Sequence, residues 1–233
     1  MNEFFSVAQG GKCNICGGDE FRPGPGGRLA FGAAPHCVKC GSMERHRIIR
    51  NVYRALSKEF FDAMGAIQFS SDPSTPQNWF REFTLSEYGG ANSQDLRNIG
   101  YADESFDWVV CNHVIEHIED AGRALSELMR ITRRDGVLQI SMPMPHYLMK
   151  TADWGFPDRD RHGHYRHYGA DVADTLLAGC GAAAALCAVS VDPATGSWEF
   201  VYLLSKSLQR VLAVGELLNK KMPVVLHQFS QSA

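Results

Sequence analysis

The chain has 233 residues, 45% of them hydrophobic and 21% charged, with a formal net charge of −3. That length buries a core without disulfide staples, and that composition excludes a disordered or fibrous chain. The charge balance and a pI near 6.3 exclude a global pull toward nucleic acid or an anionic membrane, so nucleic acid is disfavoured as a partner.

The longest apolar stretch, residues 182–191, is too short to span a bilayer. The opening MNEFFSVAQGG has no basic start and no apolar run of signal-peptide length. The expectation is a soluble cytoplasmic protein with no membrane partner. Residues 1–43 hold nine of the 22 glycines and little apolar periodicity, which predicts short strands and turns. From Met43 the pattern changes. Ile48, Ile49, Val52, Tyr53, Leu56 and Phe60 recur at helical spacing, predicting a helix over 43–61.

Residues 66–70 read as a buried strand ending in a turn at Ser70-Ser71-Asp72-Pro73. A short helix is expected over 75–83, then mostly loop to 104. Residues 106–111 read as a buried strand, 119–134 as an amphipathic helix closed by Gly136, and 137–142 as the next strand. That is a βαβ unit, whose strands are expected to be parallel. Residues 143–168, with three prolines and four histidines, read as an irregular insertion after a strand's carboxyl end, where open α/β sheets hold ligands. Residues 169–180 read as a helix, 184–191 and 198–205 as two strands, and 206–220 as a last helix before a short tail.

Four of the seven cysteines form two C-x-x-C pairs, Cys13/Cys16 and Cys37/Cys40, with 20 residues between them. Each pair directs two sulfurs at one point, and two pairs make a tetrahedral four-cysteine site of zinc-ribbon spacing. A site filled by four protein ligands has no open position, so the zinc is read as structural. Cys111, Cys180 and Cys187 read as buried free thiols of a reducing compartment.

The stretch DESFDWVVCNHVIEHIED (103–120), continued by ALSELMRI (124–131) and DGVLQISMP (135–143), resembles the central signature of class I S-adenosylmethionine-dependent methyltransferases of the type 11 kind. The resemblance covers roughly residues 44–205. Ahead of it, CVKCGSMERHR (37–47) resembles a subset of that family with an N-terminal zinc ribbon. It implies a Rossmann-like α/β sheet with helices on both faces plus a small zinc-ribbon module. The divisions are a zinc-binding module at 1–43, the methyltransferase domain at 44–207, and a C-terminal helix and tail at 208–233.

The resemblance also implies S-adenosylmethionine as cofactor. Phe69, Ser70, Ser71 and Asp72 match the turn after the first strand, where the family keeps glycines and this chain has none. Glu87 matches the acid that accepts from the ribose hydroxyls. Asp95, followed by Leu96, matches the acid that accepts from the adenine amino group. Asn112 and His113 match the positions beside the methyl group.

Methyl transfer is an in-line displacement, so positioning dominates its catalysis. A hydroxyl acceptor needs a base, and histidine suits that role near neutral pH. His113 is the first candidate. His164 and His167, in the segment DRHGHYRHYG (160–169) that resembles the family's acceptor lid, are the next, and His117 is weighed as a capping or packing residue. The expected acceptor is a small molecule. The alternatives are a non-catalytic binding protein of the same fold, or a protein or RNA methyltransferase. The H-x-x-E-H spelling of residues 113–117 also matches a zinc-hydrolase motif. That reading is rejected because the motif follows a buried strand inside a βαβ unit.

Overall fold

The computed structural model describes residues 11–143 and 148–228. The reading of the chain's start as free of a signal peptide therefore lies outside the described residues, as do residues 144–147 of the insertion. Among the described residues no helix is long and apolar enough to cross a membrane.

The amino-terminal module holds two short strands, β1 (Phe21–Arg22) and β2 (His36–Cys37), paired antiparallel. Helix α1 (Glu44–Leu56) follows. It ends five residues before the helix expected over 43–61, and Phe60 and Phe61 lie in the turn beyond it. Then come β3 (Gly65–Phe69), β4 (Glu82–Ser86), β5 (Phe106–Asn112), α2 (Ala121–Ile131) and β6 (Thr132–Ser141). A hairpin of β7 (Ala152–Asp158) and β8 (His164–His167) precedes α3 (Val172–Cys180), β9 (Ala184–Val191), β10 (Trp198–Ser205), α4 (Leu208–Asn219) and β11 (Val224–Gln228).

The central sheet has seven strands in the order β11-β9-β10-β6-β5-β3-β4. The four strands β4, β3, β5 and β6 are parallel. β10 joins β6 antiparallel, and β9 and β11 continue the edge antiparallel. Successive side chains of β5 alternate between faces, as strand geometry requires. Val109 and Cys111 enter the core under α2 and α3, while Trp108 and Val110 enter the core under α1 and α4. Helices on both faces explain why the strands read as continuous apolar runs. This is the Rossmann-like α/β architecture expected from the sequence.

Three differences have physical causes. Helix α2 stops at Ile131 because Thr132 turns into β6, its hydroxyl donating to the Leu128 carbonyl at 2.7 Å. Gly136 is consequently not a helix cap. It sits where β5 and β6 approach, and a Cβ there would lie 2.9 Å from the Asp107 carbonyl oxygen. The short helix expected over 75–83 is only a 3-10 turn at Gln77–Trp79, and β4 begins at Glu82. The insertion is ordered into the β7–β8 hairpin where described, and part of the tail is β11, paired to β9 along five residues.

A fully buried ion pair joins the amino-terminal module to the sheet. Arg47 of α1 donates from Nε and Nη2 to both oxygens of Asp192, in the β9–β10 turn, at 2.7 and 2.8 Å. Its remaining donors reach the carbonyls of Ser42 and Pro35 at 3.0 and 2.9 Å. Asp192 also accepts from the backbone and hydroxyl of Thr195. The bidentate geometry satisfies both buried charges.

Candidate active site

From β3 the chain moves outward to β4, then returns across β3 to β5 and continues to β6 on the other side. The carboxyl ends of β3 and β5 therefore flank a topological switch point, where the divergent connections leave a crevice. A cleft of about 690 Å³ opens there, within the usual range for small-ligand sites. Its walls are Phe69–Ser71 after β3, Ser86–Tyr88 after β4, Ser93–Arg97, Val114 and His117–Glu119 after β5, and Tyr165 from β8. A smaller hollow of about 350 Å³ among α1, the end of β9 and the α4–β11 connection carries none of the predicted site residues.

The glycine-free turn has a structural answer. Ser70 adopts φ +75°, the left-handed conformation usually left to glycine. The turn is tied from behind. Gln68 donates to the carbonyls of Ser70 and Asp72 at 2.8 and 3.2 Å, and Arg50 of α1 donates to those of Pro73 and Ser74 at 2.7 and 2.6 Å. Asp72 does not line the cleft. It accepts from the Ser74 backbone at 2.7 Å, and its burial raises its carboxyl above the usual range. His113, at the end of the neighbouring β5, is also left-handed at φ +52°, its N–H donating to the Ser141 carbonyl at 2.8 Å. Two strained non-glycine residues at adjacent strand ends are the pattern expected at a functional edge.

Glu87 lies one residue past β4, exposed on the cleft wall. Asp95 and Leu96 share that wall. Asp95 is engaged by Arg97, which donates from Nε, Nη2 and its backbone at 2.9–3.0 Å and holds the carboxyl below the usual range. A carboxylate has about four acceptor sites, so capacity for a further donor remains. Asn112 is buried behind the cleft. It accepts from Gln139 and Ser141 at 3.2 and 3.1 Å and donates to Ser74 at 3.4 Å.

None of the three histidines expected as base lines the cleft. His113 turns away, its ring nitrogens 3.9 Å from Glu116 and 3.8 Å from Glu199. Burial first, then Arg45 and neighbouring histidines, hold it well below its usual range. Burial also pushes Glu116 and Glu199 up to about 7. His164 is buried at the start of β8 and held down to about 4, and His167 stacks edge-on against Trp154. The histidine on the cleft wall is His117, weighed as a packing residue from the sequence. It stands one 3-10 turn beyond the left-handed His113, so His113 and His117 do not share the face of an α-helix. The zinc-hydrolase geometry is not formed.

The four paired cysteines converge. Cys13 and Cys40 have sulfurs 3.7 Å apart, Cys16 and Cys37 3.6 Å, and one sulfur from each lies within 4.8 Å of the others. Tetrahedral Zn–S bonds of about 2.3 Å place sulfurs about 3.8 Å apart. Ser42 Oγ lies 3.3 and 3.2 Å from the Cys13 and Cys40 sulfurs, and the Gly18 N–H donates to Cys16 at 3.4 Å. These contacts suit thiolates.

Residues 77–140 match the family described as methyltransferase domain. Among solved structures, the chain is similar to the CurJ carbon methyltransferase at 12% identity and a TM-score of 0.51, over 72% of this chain and 56% of that one. It is similar to the 1,6-didemethyltoxoflavin-N1-methyltransferase of Burkholderia thailandensis, solved with 1,6-didemethyltoxoflavin and S-adenosylhomocysteine, at 14% and 0.47, over 69% and 78%. It is also similar to the YcgJ protein of Bacillus subtilis at 10% and 0.45, over 68% and 98%. No curated protein matches it. Residues 77–140 thus resemble a methyltransferase domain, and the likeness to the CurJ carbon methyltransferase is one of fold.

Proposed function

We propose that the protein transfers a methyl group from S-adenosylmethionine to a small-molecule acceptor in the reducing cytoplasm, with one structural zinc on Cys13, Cys16, Cys37 and Cys40. The observation that carries the reading is the cleft at the β3/β5 switch point, with Glu87 and Asp95 on its wall and the left-handed Ser70 turn beside them.

When bound there, S-adenosylmethionine supplies a methyl group on a positively charged sulfur. The chain's own residues bind and orient. Glu87 accepts from the two ribose hydroxyls, and Asp95 accepts from the adenine amino group, next to the apolar Leu96. The Ser70–Ser71 turn gives its backbone to the methionine part, since the left-handed Ser70 bends the chain as a glycine would. The β7–β8 hairpin brings Tyr165 over the cleft and excludes water, which favours a step that extinguishes charge. The acceptor meets the cleft between His117 and Tyr165.

Three features favour a small acceptor in the cytoplasm. The cleft, at about 690 Å³, is of small-molecule size and has the aromatic residues Phe69, Tyr88 and Tyr165 on its walls. Residues 1–50 carry seven basic against four acidic residues, too modest an excess for a nucleic-acid footprint. All seven cysteines are free thiols, three of them buried outside the proposed zinc site. Calorimetric titration with S-adenosylhomocysteine tests the cofactor. Micromolar binding by the zinc-loaded protein, weakened about tenfold or more in Glu87→Ala and Asp95→Ala, is the expected result. No heat from folded wild-type protein would leave a binding protein of methyltransferase fold and remove the enzyme.

A further inference from the structure

We infer that Glu116, His117 and His164 form a second metal site, distinct from the four cysteines, that takes a divalent transition ion such as Zn²⁺, Mn²⁺ or Fe²⁺ at the edge of the cleft. One ligand atom from each of the three lies within 4.8 Å of the other two. The His117 and His164 rings meet edge to face with centroids 4.6 Å apart. One carboxylate and two imidazoles are a donor set that suits such ions and leaves coordination positions open.

The geometry is built, not incidental. Glu116 and His117 sit on the 3-10 turn after β5, and His164 begins β8 on the hairpin. Arg166, buried two residues further on, fastens the elements together. It donates to the Ile118 and Glu119 carbonyls at 2.5 and 2.7 Å and pairs with Asp153 of β7 at 2.6 Å. Trp154 donates to the His164 carbonyl at 2.9 Å and fixes that residue's backbone.

Two further observations point to a ligand. Glu116 is 1% exposed and His164 7% exposed, and among the described residues Glu116 Oε2 has no donor and His164 Nδ1 has no partner. Buried polar atoms are almost always paired. Here the two orphans lie on neighbouring elements, and the third group, His117, is exposed and lines the cleft. An ion at about 2.0–2.2 Å from each donor draws the three inward, which the exposed His117 allows most easily.

Because His117 also lines the cleft, the open positions face the space assigned to the acceptor. Resting on the cofactor reading above, the ion holds an oxygen or nitrogen of the acceptor beside the methyl donor, and the site selects acceptors carrying such an atom. Metal binding itself does not depend on that reading.

The test titrates Co²⁺ into the full chain with its cysteine site zinc-filled. Visible absorption distinguishes nitrogen and oxygen ligation from the intense thiolate bands of cobalt displacing zinc. Expected is one saturable equivalent without thiolate bands, weakened at least about tenfold in His117→Ala and in Glu116→Gln. The exposed His117 can be removed without opening the core, and the circular dichroism of each variant checks its fold. No saturable binding by wild type, or equal binding by folded His117→Ala, overturns the proposal. S-adenosylhomocysteine titrated into the same samples reports on the cleft separately, so loss of either reading leaves the other measurable.

Discussion

Replacing Asp192 with alanine isolates the contact that couples the amino-terminal module to the sheet. Arg47 and Asp192 have fully buried side chains, and two of the guanidinium's nitrogens bond the carboxylate. After the change the guanidinium keeps the carbonyl and hydroxyl of Ser42, the Pro35 carbonyl and the face of Phe21's ring, and the Thr195 hydroxyl and backbone lose Asp192 as acceptor. Leaving one buried charge without its partner costs about 3–5 kcal/mol. For a chain of this size each kcal/mol moves the melting temperature about 2–4 °C, so a fall of about 6–20 °C is expected in a thermal melt of the zinc-loaded protein. The apolar double variant Arg47→Met/Asp192→Leu should lose less than Asp192→Ala, because it buries no unpaired charge. A cost below about 1 kcal/mol, the range of an exposed pair, would refute the claim that this contact is closed to water.

Four more outcomes follow from the geometry. Chelation of zinc, or Cys37→Ser, should take metal content at the cysteine site from one to zero and unfold the module around β1 and β2, read by mass spectrometry and hydrogen exchange. Phe61, in ring contact with Tyr53, Phe60, Trp79, Phe80 and Trp108, should cost about 3–5 kcal/mol as Phe61→Ala by urea denaturation; a cost under half of that would mean the pocket collapses freely. His46 accepts the Met43 N–H at Nδ1, and burial with Arg45 and Arg47 lowers it to about 3. Below pH 6.5 the unfolded chain therefore takes up a proton that the folded chain refuses, so this group's stability is present above 6.5 and is lost toward 3. The wild-type advantage over His46→Gln should shrink by about 2 kcal/mol between pH 7 and 5, and a constant difference counts against the assignment. Finally, Ser70→Gly should keep S-adenosylhomocysteine affinity, while Ser70→Val, strained at φ +75°, should weaken it in the same titration.

The sequence carried the βαβ unit and the strand pair 184–191 and 198–205 because buried strands and amphipathic helices announce themselves by period. It misplaced the end of α2 because Arg133, Arg134, Asp135 and Gly136 spell a helix stop, whereas pairing of Thr132 with Phe106 across β5 and β6 sets the boundary earlier. Tertiary pairing overrode local propensity. The β7–β8 hairpin was hidden because its turn is made by His162 and Gly163, both with positive φ, inside a segment whose histidines read as chemistry. β11 alternates weakly, and its hydrogen-bonded pairing is with β9, at the far edge of the sheet. At the site, the acids Glu87 and Asp95 were legible by resemblance. The placement of His113 was not, since its left-handed backbone rotates the ring toward Glu199, a residue 86 positions away in sequence.

That rotation connects the two halves of the site. The turns after β3 and β5 share one buried polar chain: Gln68 holds Ser70, Ser74 receives Asn112, Asn112 receives Gln139, and Trp108 donates to Gln139 at 3.3 Å. The links from Ser74 through Asn112 and Gln139 to Trp108 are buried, so each must stay paired to avoid an unsatisfied polar atom. The turn under the cofactor cleft and the turn carrying Glu116 and His117 are consequently positioned by the same set of bonds. A glycine-rich first turn would set its shape by backbone freedom. Here a serine is forced into that shape by neighbours, and the same neighbours fix the edge that carries Glu116 and His117. The shapes of the two turns then rise or fall together, and side chains such as Gln139, which line no part of the cleft, are the means by which they are coupled.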